Sequence, residues 1–244
     1  MIGVIGGSSL GQLRSLEDAQ DELVETPFGK PSGPLSRGRI AGHEVVFIAR
    51  HGRGGAIPPH LINYRANIWA LKAAGVTALM AVAAVGGIRP ELVPGTLLVP
   101  DQIIDYTWGR ESTYWGVGTP PTHIDFTCPY ANALRAKLMD TAHKMGIELT
   151  ERGTYAVTQG PRLETAAEIR RIRADGGCVV GMTGMPEAAL AREAGLHYAT
   201  IAVVVNHAAG VGESREAISI KEMARISLES SDKIERLLCR LCDS

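Results

Sequence analysis

The chain has no block of like charge: 25 lysines and arginines offset 26 aspartates and glutamates, for a formal net charge of -1. A nucleic-acid backbone finds no electrostatic footprint here, so no nucleic-acid partner is expected and a small-molecule ligand is the better candidate. No apolar run approaches the ~18 residues that a membrane span needs, and MIGVIGGSSL lacks the basic start and apolar centre of a signal peptide. These absences read as a cytoplasmic protein with no membrane partner. Cysteine is scarce and scattered, at Cys128, Cys178, Cys239 and Cys242. The one close pair, CRLC, has neither the further ligands of a structural zinc site nor the βαβ context of a redox motif, so no metal is expected. The start GGSSLG also misses the G-x-G-x-x-G spacing of a dinucleotide fingerprint.

What is present suits a globular domain. With 244 residues, 45% hydrophobic and 21% charged, the chain can bury a large core. Apolar strands are expected at 2–5, 45–49, 77–87, 97–99, 154–158, 178–180 and 197–205. Helical spacing falls at 63–74, 130–145, 164–174, from Pro186 through PEAALAREAG, and from about 219 to 241. The alternation of strands and helices predicts an α/β fold, a twisted mostly parallel sheet flanked by helices. No repeat, linker or low-complexity tract divides it, so residues 1–244 read as a single domain. Residues 106–125 mix aromatic, Gly, Pro and polar groups without periodicity, and a loop that long in a compact domain is usually functional or covered by a partner.

Several expected strands end in glycine or polar residues: Gly6-Gly7-Ser8, Arg50-His51, Ala84 to Gly87, Met182-Thr183 and Asn206-His207. Sharing one sheet edge, these ends would bring backbone N–H groups, hydroxyls, a guanidinium and an imidazole around one tetrahedral anion. Each part alone has an ordinary explanation. GGSS can be a strand-to-helix turn, Arg50-His51 a surface pair, Thr183 a turn cap, Met182 core, and Asn206 a partner for buried backbone. Their joint occurrence is what points to phosphate chemistry.

The blocks GVIGGSSL, ETPFGKPSG (25–33), ARHGRGG (49–55), INYRANIWALKAAG (62–75), QGPRLETAAE (159–168) and GMTGMPEAALAREAG (181–195) occur in that order. Together they identify a chain that resembles the trimeric purine nucleoside phosphorylase superfamily, in its 5'-methylthioadenosine phosphorylase branch, over nearly its whole length. The resemblance implies a homotrimer whose sites are completed by neighbouring subunits. It implies that Ser8, Arg50, His51 and Thr183 hold phosphate, with the backbone near Ala84 helping, and that Met182 lies against the ribose. It places His123, from a neighbouring subunit's loop, at the 5' end of the nucleoside. Ala83 stands where adenosine-type relatives often carry a threonine hydroxyl.

Phosphorolysis needs an anion clamp on one face of an oxocarbenium-like ribose and hydrogen bonds to the leaving base. Arg50 supplies permanent charge, Ser8 and Thr183 hydroxyl donors, and His51 a donor from either ring nitrogen according to tautomer. Asn206 can accept from the purine N7–H and donate to a carbonyl at C6. No cofactor is expected, inorganic phosphate being the co-substrate. Adenine-reading relatives typically carry aspartate at 206 and again two residues on, where this chain has Asn206 and Ala208. They usually carry serine at 164, where Glu164 matches the 6-oxopurine pattern of accepting N1–H. Ile220 replaces the histidine that inosine-cleaving relatives use for the 5'-hydroxyl, and Met223 lies one helical turn on, so the 5' pocket is expected to be apolar. The combination predicts phosphorolysis of S-methyl-5'-thioinosine to hypoxanthine and 5-methylthioribose 1-phosphate. A methylthioadenosine phosphorylase, a broad 6-oxopurine nucleoside phosphorylase, a hydrolase and a non-catalytic nucleoside-binding module are the alternatives.

Overall fold

Ala78–Gly87 (ALMAVAAVGG) carries no charged or hydrogen-bonding side chain, a composition that needs cover on both faces of a sheet. In the computed structural model, which describes residues 1–116 and 122–243, this segment is the central strand β5. Before it come β1 (Ile2–Gly6), β2 (Glu17–Glu22), β3 (Leu35–Ile40), β4 (His43–Ala49) and α1 (Tyr64–Ala73). After it come β6 (Leu97–Leu98), β7 (Gln102–Asp105), α2 (Asn132–Lys144), β8 (Thr154–Val157), α3 (Ala166–Ala174) and β9 (Val179–Gly181). The chain closes with α4 (Gly184–Glu193), β10 (His197–His207) and α5 (Ile220–Cys242).

The strands form one sheet in the order β2-β3-β4-β1-β5-β9-β8-β7, with β10 on the other edge of β5 and β6 beside β10. The pairings β1–β4, β1–β5, β5–β10, β7–β8 and β8–β9 are parallel. Side chains alternate between two layers as a pleated sheet requires. Ile5, Leu79, Ala81 and Val204 pack with Ile68 and Leu71 of α1 and Leu190 of α4. Val4, Met80, Ile201 and Val203 pack with Leu138 of α2 and with Ile234, Leu237 and Leu241 of α5. The expected α/β layering is therefore present, and helix ends fall within about two residues of the sequence reading.

Four features depart from that reading, the first being β7, since no strand was expected at 102–105. The β2–β3 hairpin was not legible, because EDAQDE is exposed at every position and has no apolar alternation. Its charges suit a sheet edge that must not recruit further strands. β9 runs antiparallel to β5, carrying β8 and β7 with it in reversed direction. Finally, β10 does not stop at Val205. Val204 faces Val85 and Asn206 faces Gly86, so Val205 is the extra residue of a β-bulge inside a strand that continues to His207. Such a bulge re-aims the next side chain, here Asn206.

Candidate active site

β10 lines one edge of β5 along its whole length, so β1 and β9 must share the other. β1 reaches only from Ala78 to Ala81, and β9 enters from the opposite direction to pair with Gly86 and Gly87. Residues 82–85 are left without a strand partner on that edge. Several strand ends were expected to meet along one sheet edge; the antiparallel β9 instead brings the ends of β1, β4 and β9 to this internal notch, while Asn206 lies on the opposite edge of β5. Arg50, immediately after β4, fills part of it, with Nη1 donating to the Val82 carbonyl at 2.8 Å. Because backbone groups alternate in direction along a strand, the Ala84 N–H opens on the same side as that carbonyl. Gly7 roofs the guanidinium: a Cβ added there would lie 2.7 Å from Arg50 Nη1 and 2.8 Å from the Val82 oxygen. Ser8 follows it, exposed, while its neighbour Ser9 is buried and hydrogen-bonded to Ser227 at 2.7 Å.

Arg50 is only 1% exposed, and it is not a free cation. Its Nε and Nη2 donate to the two carboxylate oxygens of Glu187 at 2.7 and 2.8 Å, a bidentate pair buried on both sides. Glu187 in turn accepts from the Tyr198 hydroxyl at 2.9 Å, and Thr200 donates to Tyr198 at 3.2 Å. Burial works against the guanidinium charge, yet the attraction and hydrogen bonds of Glu187 outweigh it and hold Arg50 above its ordinary pKa. Three of its five N–H donors are taken, leaving one each on Nη1 and Nη2 for an anion. Glu187 was missed in the sequence. The signal was a lone carboxylate in the otherwise apolar run MPEAALA.

His51 corrects another expectation. Its Nδ1 lies 2.8 Å from the Ile57 carbonyl, which can only accept, so Nδ1 carries the proton and only Nε2 faces outward. Burial first, and Arg50 second, hold the imidazole pKa below its usual 6.5. In the neutral ring Nε2 is therefore an acceptor, suited to the P–OH of a protonated phosphate oxygen.

Met182 and Thr183 leave β9 directly beneath this notch. Thr183 is buried and its N–H points at the Tyr155 hydroxyl, 3.4 Å away. Met182 packs against the turn at Gly160, where an added Cβ would meet its sulfur at 2.5 Å. Arg110, from the long loop, ties these pieces together. It donates to the carbonyls of Met182 (2.8 Å), Met185 (2.5 Å) and Gln159 (2.8 Å), and to the Gln159 side chain (3.2 Å). The loop from 106 to 116 is thus docked on its own chain, although it forms neither helix nor strand.

The base-reading candidates lie at the next end. Glu164 Oε1 accepts from the Thr158 hydroxyl at 2.6 Å, and Oε2 has no hydrogen-bond partner among the described residues. Asn206 Nδ2 donates to the His207 carbonyl at 2.5 Å, which orients the amide and leaves Oδ1 and one N–H available. Gly210, four residues after Asn206, packs on the start of α3, two residues after Glu164: a Cβ added to Gly210 would stand 2.8 Å from that of Ala166. Ala208 is buried in the same small apolar cluster as Val180, Ile169 and Ile172. His207 is also buried, packed so closely on Gly212 that a Cβ there would lie 2.7 Å from its Nδ1.

The 5' candidates are not brought into a closed pocket within one chain. Ile220 is 64% exposed at the start of α5, Met223 is partly buried against the second core layer, and His123 is exposed. Residues 117–121 of the long loop lie outside the described residues. Among the described residues no three His, Cys, Asp or Glu side chains group to hold a metal ion, and no helix is long and apolar enough to cross a membrane.

Residues 1–241 match the phosphorylase superfamily. The chain belongs to that superfamily. It is 49% identical over 231 residues to the probable S-methyl-5'-thioinosine phosphorylase of Xanthomonas campestris, covering 94% of this chain and 92% of that relative. It is 44% identical over 243 residues to the 6-oxopurine nucleoside phosphorylase of Pyrococcus furiosus, covering 97% and 90%. Among solved structures it is similar to the methylthioadenosine phosphorylase of Schistosoma mansoni in complex with adenine, with a TM-score of 0.94 and 33% identity over 99% of this chain and 90% of that one. This member of the superfamily is a pentosyltransferase of the nucleoside phosphorylase type.

Proposed function

We propose that this phosphorylase cleaves S-methyl-5'-thioinosine with inorganic phosphate, giving hypoxanthine and 5-methylthioribose 1-phosphate. The observation that carries the reading is the pair of free acceptors at the base end, Glu164 Oε2 and Asn206 Oδ1. A 6-oxopurine leaving group offers N1–H to the first and N7–H to the second. Adenine has a lone pair at N1 and, covering the half-buried Glu164, would leave its free oxygen unpaired, a mismatch of about 1–3 kcal/mol or more. Relatives with S-methyl-5'-thioinosine and 6-oxopurine in their names support the same reading.

In this mechanism phosphate sits in the notch on the Ala84 N–H, the two spare N–H groups of Arg50, and the hydroxyls of Ser8 and Thr183. Its P–OH donates to Nε2 of His51. A phosphate oxygen attacks C1' as the C1'–N9 bond breaks, and the electron pair of that bond leaves with the purine. N7 takes up a proton from solvent water and, as N7–H, donates a hydrogen bond to Asn206 Oδ1. Fixing the nucleophile in line contributes by position, where effective molarity can offset several kcal/mol of barrier. Met182 backs the ribose. Ile220 and Met223 offer the 5' substituent an apolar wall, to which a neighbouring subunit of a homotrimer adds His123. The exposure of the large apolar side chains Ile220 and Trp108 supports that assembly.

Steady-state kinetics with phosphate on methylthioinosine, methylthioadenosine and inosine test the reading. Preference for methylthioinosine by tenfold or more in kcat/KM is expected. Equal or better use of methylthioadenosine refutes the base assignment, and equal use of inosine refutes the apolar 5' pocket. Base release that persists without phosphate would point to a hydrolase.

A further inference from the structure

We propose that Thr158 is a positioning residue for base selection, acting on the purine through Glu164; the inference rests on the reading of Glu164 as the acceptor of N1–H. Thr158 directly follows β8, and its N–H donates to the Gly181 carbonyl at 2.8 Å, continuing the pairing of β8 with β9. Its carbonyl also faces Arg110 Nη2, at 3.4 Å. The backbone that carries the hydroxyl is therefore fixed from two sides.

That hydroxyl has one proton and two acceptors within reach, Glu164 Oε1 at 2.6 Å and the Gly181 carbonyl at 3.3 Å. The shorter contact, to a carboxylate, takes the proton. Glu164 precedes the Thr165 cap of α3 and is only half-buried, and among the described residues nothing else holds its carboxylate. With Oε1 pinned, Oε2 is presented as one oriented acceptor. A keto purine uses that orientation through its N1–H, whereas an amino purine has no hydrogen at N1 to give it. The hydroxyl is thus worth something to one nucleoside and little to the other.

The test compares kcat/KM for methylthioinosine and methylthioadenosine on single preparations, so that the ratio is independent of the active fraction. Thr158→Val keeps the shape and removes the donor. It is expected to lower methylthioinosine use roughly tenfold, the scale of one hydrogen bond to a charged group, and to leave methylthioadenosine use within about threefold. Thr158→Ser, which restores the hydroxyl, is expected to return the ratio to the wild-type value. Added to Glu164→Ala, Thr158→Val is expected to have no further effect on the ratio, because the group it acts through is gone. Should Thr158→Val not fold, Thr158→Ala carries the same expectation. Equal losses on both nucleosides would show a general structural role and overturn the proposal. So would an unchanged ratio in Thr158→Val alongside a collapsed ratio in Glu164→Ala. If Glu164→Ala itself leaves the ratio intact, the base reading falls and the role of Thr158 falls with it.

Discussion

The two ends of the site are built on different terms. At the phosphate end the groups are locked into the sheet: Arg50 is buried against Glu187, Glu187 is held by Tyr198, and Gly7 leaves no room above the guanidinium. At the nucleoside end, Glu164 and Asn206 are each tethered by one short hydrogen bond and keep an atom free, and Ile220 stands mostly in solvent. On the proposed assignment, phosphate chemistry is thus tied to folding, while the choice of nucleoside rests on side chains that can change without disturbing the core. The comparison predicts that mutations at the first end cost stability and phosphate use together, and that mutations at the second alter preference at little structural cost.

The largest effect is expected from Glu187→Ala, which strands a buried guanidinium. Losing one partner of such a pair costs about 3–5 kcal/mol, measurable by denaturant unfolding, with phosphate KM rising in whatever protein remains folded. A cost near that of a surface pair, about 0–1 kcal/mol, would erase the distinction between the two ends. Gly7→Ala is a narrower probe of the same region, because its Cβ meets Arg50 Nη1 at 2.7 Å. It should raise phosphate KM by roughly tenfold or more while nucleoside KM barely moves. At the other end, Glu164→Ser combined with Asn206→Asp should shift preference toward methylthioadenosine by at least about tenfold with a nearly unchanged unfolding midpoint.

How much of this contrast could be read from the residues follows from what the sequence encodes locally. The layered α/β fold was legible because runs such as ALMAVAAVGG have only one comfortable environment. Arg50, Thr183 and Asn206 stood out because each follows an apolar strand, whereas Glu164, in the polar stretch QGPRLETAAE, stood out only through the resemblance to 6-oxopurine-cleaving relatives. The notch was not legible, since it depends on β9 running antiparallel to β5, and three residues of strand carry no sign of their direction. Nor was the partner of Arg50, which lies 137 positions away, although a solitary glutamate among alanines hinted that some cation needed it. The bulge at Val205 was hidden because valine suits a strand with or without one, so Asn206 read as the residue after a strand instead of one inside it.

A smaller effect separates the ends through pH. His51 has its pKa lowered mainly by burial, so the folded protein binds a proton there less readily than the unfolded chain does. The stability contributed by the neutral ring is complete above the unfolded value of about 6.5 and is lost as pH falls through the lowered folded value. Thermal midpoints measured from about pH 7.5 downward through the unfolded value of about 6.5 should decline less steeply for His51→Gln than for the parent chain. A parallel decline would mean that other groups dominate, and that the phosphate end is less sensitive to its own protonation than its burial implies.

The gentlest change tests the nucleoside end alone. Ile220 heads α5 with 64% of its surface exposed, so Ile220→His should alter stability by no more than about 0.5 kcal/mol. An imidazole there can hydrogen-bond a 5'-hydroxyl and gains nothing from a methylthio group, whose apolar contact with the isoleucine side chain it forfeits. The ratio of inosine to methylthioinosine kcat/KM should therefore rise by roughly three- to tenfold, in keeping with about 1 kcal/mol for one exposed hydrogen bond. No change would place the 5' substituent away from the start of α5. A large loss of stability would show that this exposed residue is buried in the assembled enzyme, where the wall of the pocket would also be part of the subunit interface.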